Sequence, residues 1–309
     1  MQARSARTMV QVGAWWRLAL VVVGAFTLVV PPVSVAAQDE AAALTPGEAL
    51  LEIQLVDGSV LFARVAEAEG ETIVLVTLGG ARIEVERSQI RGVRSAEGRV
   101  VDGEFWRKDP NLSRLFFTAT GRTLDKGEAY LGTYLIVLPF FAVGVTDRFT
   151  IAAGAPLTLG EVEPFYLAPK LQVFRASKAE ISVGTLVFFA DDDQVGIVYG
   201  VGTFGTDDRA ITAGVGFGFA GDEFSSEPVA MIGGETRVSR RIKLITENYF
   251  LPGETGVLFS GGIRILGQRF STDLALGGFL GEDEGFCCFP LINFSYAFGG
   301  GGGGGGGAR

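Results

Sequence analysis

From residue 127 to residue 298 apolar and polar positions alternate. In "RAITAGVGFGFA", residues 209–220, Ile211, Ala213, Val215, Phe217 and Phe219 share one parity, and Thr212, Gly214, Gly216 and Gly218 the other. A period of two, bulky on one side and small or polar on the other, describes a strand with an apolar medium outside and a crowded interior inside. The same division runs through "EISVGTLVF", with Ile181, Val183 and Val187 against Ser182 and Gly184. In "FYLAPKLQVF" it sets Phe165, Leu167, Leu171 and Val173 against Tyr166, Lys170 and Gln172. About twelve such strands of roughly ten residues are predicted, a length that crosses a bilayer at a tilt. They begin near Glu128, Phe140, Phe149, Pro164, Ala179, Gln194, Arg209, Pro228, Arg241, Thr255, Arg269 and Phe289. An even number leaves both ends of a closed barrel on one side.

The connections divide into two kinds that alternate along the chain. "TDR" (146–148), "RASK" (175–178), "TDDR" (206–209), "SRR" (239–241) and "GQR" (267–269) are short and each contains Arg. "LTLGEVEP" (157–164), "ADDDQ" (190–194), "AGDEFSSEP" (220–228), "LPGETG" (251–256) and "LGEDEGFCC" (280–288) are longer on the whole and acidic. A soluble sandwich has no reason to sort its connections this way. A transmembrane antiparallel barrel does, with short turns at one rim and longer loops at the other.

Two stretches carry a resemblance. "GVTDRFTIAAG", residues 144–154, looks like the first periplasmic hairpin of many Gram-negative outer-membrane barrels. "LINFSYAF", residues 291–298, alternates Ile292, Phe294, Tyr296 and Phe298 outward against Leu291, Asn293, Ser295 and Ala297 inward. It resembles the closing strand by which such proteins are recognised for assembly, which implies outer-membrane lipid and the barrel assembly machinery as partners. The glycine run from Gly299, ending in Ala308 and Arg309, departs from that pattern. Polyglycine has nothing to bury and a large ordering entropy, so residues 299–309 are expected as a disordered tail.

The N-terminal part is organised differently. Arg4, Arg7 and Arg17 precede the apolar run "LALVVVGAFTLVV", followed by small residues at Val35 and Ala37, so residues 1–37 read as a secretory signal peptide. Residues 47–95 hold runs of Val, Ile and Leu between the turn signals Asp57-Gly58, Glu69-Gly70-Glu71 and Gly79-Gly80, about five short strands in a small β domain. This hairpin order resembles the Sm-like or SH3-like small barrel. RNA binding is not carried over, because acidic residues are spread through the segment and it has no aromatic stacking platform. A periplasmic docking module for a protein partner is expected, with a structural cap on the larger domain as the alternative. Residues 96–126 have mixed charge, Asp109-Pro110 and poor periodicity, and read as a linker; Trp106, Phe116 and Phe117 are expected in an interfacial aromatic belt.

Composition sharpens this reading. Of 309 residues 48% are hydrophobic, and the mean hydropathy of +0.33 is high for an exported chain without a later apolar run of spanning length. Alternating barrel strands resolve that conflict. A net charge of −9 argues against nucleic acid. The absence of His removes the base used by the phospholipase, omptin and lipid A deacylase families that resemble one another on such barrels. No G-x-S-x-G elbow or phosphate loop is present, and no catalytic residue, cofactor or metal site is assigned. The acidic stretches 191–193 and 282–284 are read as solvated surface rather than Ca²⁺ ligands. Cys287 and Cys288 are placed in the last external loop, with a vicinal disulfide, free thiols or chain linkage all compatible.

Strand parity puts Lys170, Glu235, Arg237, Lys243, Glu247, Arg264 and Asp273 in the lumen. A turn centred between Gln268 and Arg269 sets Arg264 opposite Asp273 as a cross-strand ion pair. These charges form either a polar constriction or a salt-bridged plug. The reading as a whole is an all-β chain: a barrel of about twelve strands at 127–298, after a small five-stranded Sm-like or SH3-like domain. It implies a non-enzymatic outer-membrane protein, a scaffold or narrow channel with its N-terminal domain in the periplasm. A passive pore for small solutes and a soluble secreted or periplasmic binding protein, its glycine faces packed on a second sheet, are the alternatives.

Overall fold

The computed structural model describes residues 44–96, 98–156, 164–190, 193–252, 256–281 and 285–298. The expected signal peptide at 1–37, the stretches 157–163, 191–192 and 282–284 of the long acidic connections, and the glycine tail at 299–309 lie outside the described residues.

Five strands form a first antiparallel sheet: β1 (Leu51–Leu55), β2 (Val60–Glu69), β3 (Thr72–Thr77), β4 (Arg82–Glu86) and β5 (Ile90–Ser95), ordered β4-β3-β2-β1-β5. Gly58 and Gly80 take positive φ (+89° and +81°) at the tight turns marked by Asp57-Gly58 and Gly79-Gly80, a conformation that costs other residues a Cβ clash. Ile53, Ala63, Val65, Ile73, Leu75 and Val85 bury one face as a core. A two-stranded hairpin follows, β6 (Gly98–Val101) and β7 (Glu104–Arg107).

Twelve strands then close a barrel: β8 (Ala129–Tyr134), β9 (Leu138–Thr146), β10 (Phe149–Gly154), β11 (Phe165–Ala176), β12 (Ala179–Ala190), β13 (Asp193–Gly205), β14 (Arg209–Ala220), β16 (Val229–Ser239), β17 (Ile242–Leu251), β18 (Gly256–Leu266), β19 (Phe270–Leu280) and β20 (Gly285–Phe298). A two-residue strand, β15 (Glu223–Phe224), only folds a loop back onto β14. Closure comes from β20 pairing with β8, Phe294 opposite Thr133 through Phe298 opposite Ala129. Among the described residues each strand of the ring pairs with a neighbour on both sides, so none is an edge.

Eleven barrel strands begin within two residues of the position read from alternation, and the last begins at Gly285 rather than Phe289. The reason is a bulge. Gly277 faces Phe289 and Gly278 faces Cys287, so Cys288, with φ +75°, is an extra residue that interrupts the period. Cys287 and Cys288 are therefore inside β20 and not in a loop, and they form a vicinal disulfide.

Parity holds around the ring. Ile211 (59% exposed), Val215, Phe217, Leu171, Val173, Ile181 and Val183 project outward, as do Ile292, Phe294, Tyr296 and Phe298 of the closing strand. Thr212, Ser182, Gln172, Asn293 and Ser295 are buried on the inner face. A continuous exposed apolar surface of this extent is stable only against an apolar medium. The glycine faces line the lumen instead of meeting a second sheet, as at Gly216, where an added Cβ would come within 2.7 Å of Ile197 Cδ1.

Candidate functional site

The lumen is occupied by the chain itself. Residues 108–126, expected as part of a linker, enter from the rim carrying the short turns and run inside the ring before β8 begins. Phe116 is fully buried there and Phe117 packs beside it, so neither belongs to an outer aromatic belt. Trp106 stays at the rim on β7, its ring 5.0 Å from the Arg237 guanidinium. The physical cause is simple. Poor periodicity marks a segment that is neither strand nor helix, but it says nothing about burial, which here is provided by the barrel wall.

The tip of this plug is a tight hairpin. Arg114 bridges Ala119, and the Leu115 N–H donates to the Thr118 carbonyl at 2.9 Å. Its turn presents three backbone N–H groups in one direction, a concavity suited to an anion. Glu247, on the inner face of β17, supplies it. The carboxylate accepts from the N–H groups of Phe116 (2.7 Å), Phe117 (3.1 Å) and Thr118 (3.1 Å), from the Thr118 hydroxyl (3.0 Å) and from Tyr249. A fully buried carboxylate is tolerated because every neighbour donates to it. Gly233 makes room for the tip: an added Cβ would lie 2.5 Å from Leu115 Cδ1.

Arg264 holds the other side. Register sets it opposite Asp273, with Nε donating to the carboxylate at 2.6 Å and Nη2 at 3.1 Å. Its remaining N–H groups donate to the carbonyls of Asn111 and Leu115, both at 2.7 Å. Lys170 donates to the carbonyls of Ser113 (3.0 Å), Thr120 (3.1 Å) and Arg122. Lys243 bridges Asp109 (2.8 Å) and Glu235 (2.9 Å). Arg122 of the plug pairs with Glu235 and, at 3.1 Å, with Glu180. Arg114 lies over the Tyr134 ring at 4.7 Å and donates to the Phe116 carbonyl at 2.9 Å.

Thus six of the seven charges placed in the lumen by parity gather around one segment. Arg237 sits apart at the rim, bonded to the carbonyls of Arg107 and Arg240. Burial alone would raise the Asp109 carboxyl, but Lys243 and Arg264 outweigh it and hold Asp109 well below the usual carboxylate range. The plug residues Asp109, Asn111, Arg114, Thr118 and Arg122 escaped the sequence reading, as did Glu180 despite sharing Ser182's parity. Four cations and three anions nearly cancel in the inward set read from sequence, so charge balance did not ask for a further partner. What betrayed the plug was the carbonyl demand of Lys170 and Arg264, visible only in three dimensions.

The first sheet meets the barrel at the same rim. Buried Glu52 accepts from Arg94 at 2.5 Å and from Arg107, and Arg94 also donates to Gln268 of a barrel turn at 3.1 Å.

Above the plug tip the lumen opens into a cavity of about 330 Å³ floored by Phe117, Thr118 and Ala119. Its wall is aromatic, with Tyr134, Phe140, Tyr166, Phe188, Tyr199 and Tyr249 contributing.

No protein-family model and no curated protein sequence matches the chain. Among solved structures it is similar to the KdgM porin in complex with disordered oligogalacturonate, at a TM-score of 0.43 and 8% identity over 56% of this chain and 98% of that one. An outer-membrane channel from Pseudomonas putida F1 gives 0.38 and 10% over 57% and 96%. A loop-deletion form of OmpT, an outer membrane protein of Vibrio cholerae, gives 0.35 and 11% over 81% and 96%. At these scores the likeness does not extend to function. The closed ring, apolar outside and charged within, is nonetheless the architecture of an outer-membrane β-barrel.

Proposed function

We propose that this chain is a non-enzymatic outer-membrane barrel, a narrow channel held shut from the periplasmic side by its own residues 108–126. The short-turn rim faces the periplasm in this reading, and β1–β5 form a docking module there for a periplasmic protein. The observation that carries it is Glu247. A carboxylate saturated by a turn of the plug and buried at the middle of the lumen ties closure to one contact network. Such an arrangement has two discrete states, turn seated or turn released.

The test is planar-bilayer conductance of the refolded protein. Wild type is expected to give little steady current, and Glu247→Gln together with Lys170→Met is expected to give discrete openings. Both proteins must retain a band whose gel mobility changes on boiling. Large steady wild-type currents would instead favour an open passive pore. The many contacts at Arg264 and Lys170 favour a second reading, a permanently sealed barrel that anchors the periplasmic sheet. Silence of the double variant, with its barrel intact, selects that reading.

A further inference from the structure

We propose that the outer half of the lumen binds a small, uncharged, largely aromatic molecule seated on the plug tip. The inference rests on the closed-barrel reading, because residues 117–119 form the floor.

Two observations carry it. The cavity, about 330 Å³, lies at the lower end of the range for small-molecule sites, too small for an oligomer and ample for a two-ring compound. Its wall is made of ring faces and aliphatic side chains, including Leu138, Leu186 and Met231. Such a wall recompenses the desolvation of an apolar solute and does little for a sugar or an ion.

The full charges at the cavity edge do not change this chemistry. The Lys170 ammonium is directed at three plug carbonyls, and the Arg114 guanidinium is engaged by Asn111, the Phe116 carbonyl and two aromatic faces. Neither offers a spare donor pair to a carboxylate or phosphate, which is why the ligand is assigned as neutral.

Two fluorescent probes test the site on the full barrel in detergent: prodan, a neutral naphthyl ketone, and N-phenylnaphthylamine, of similar size but without a carbonyl. Wild type is expected to bind both saturably. Ala168→Phe, which projects a ring into the cavity, should abolish both at equal detergent. Should that variant lose its boiling-sensitive band, Leu138→Trp at the same wall replaces it. A wild-type signal no greater than that of the filled variant means uptake by micelles alone and overturns the proposal. Failure of the underlying reading is separately visible, as steady wild-type conductance with the barrel intact.

Discussion

Glu247 and Asp109 show how single groups control the plug. All five partners of the Glu247 carboxylate are donors, so an amide there turns two donors of its own toward other donors. Glu247→Gln is therefore expected to loosen the turn by more than a neutral hydrogen bond is worth, and to raise the rate of proteolytic cleavage within residues 108–126 about ten-fold. Unchanged cleavage would mean that the turn is held without it. Asp109 adds a pH dependence. Its folded value is depressed from the ordinary 3.8 by Lys243 and Arg264, so its contribution is complete above that value and is lost as acidity rises below about pH 4. Trp106 reports this, lying three residues away and beside Arg237. In protein lacking residues 1–37, the melting temperature read from its emission should hold steady from neutrality to about pH 4 and fall progressively below it, whereas Asp109→Asn should melt lower at neutral pH and lose less in acid. The inward charges were legible in the sequence because parity is a local property. Their partners were not, since Asn111 meets Arg264 across 153 positions.

At the scale of elements, strands were readable and the plug was not. Alternation depends only on which side chains face lipid, so eleven strand starts emerged within two residues. The twelfth failed where Cys288 adds a residue and reverses the phase. The plug hairpin has no such periodicity, because both its faces are buried against polar and apolar wall alike. The closing strand carries a prediction of its own. Removing residues 294–298 deletes the pairing of Phe294 through Phe298 with β8 and reopens two edges. That truncation should yield no band whose mobility depends on boiling, while removal of residues 299–309 alone should leave the band in place. Loss of the band in the second case would give the glycine tail a part in folding.

For the whole molecule, the outer belt predicts a requirement for detergent. Extraction from membranes without it should fail, and lipid-borne photolabels should reach Phe217 and Phe294 but not Phe116, which is buried inside. Labelling of Phe116 would place the plug outside the ring. The sheet β1–β5 is tied to the rim through Glu52, Arg94 and Arg107, so movement of the sheet and release of the plug that follows it in the chain share one connection. In the channel proposed above, a partner that pulled on the sheet would pull on residues 108–126.

The amino-acid sequence by itself determined the ring: twelve strands, their facing and their register at Arg264 and Asp273 follow from a period of two and from turn positions, both local quantities. Only the tertiary structure decided that the ring is filled. Whether residues 108–126 hang outside as a tether or turn inward depends on carbonyls, N–H groups and cavity shape brought together from far apart in the chain. Backbone groups look alike at every position of a sequence, so the donors that meet Glu247 and the acceptors that meet Lys170 and Arg264 left no mark there.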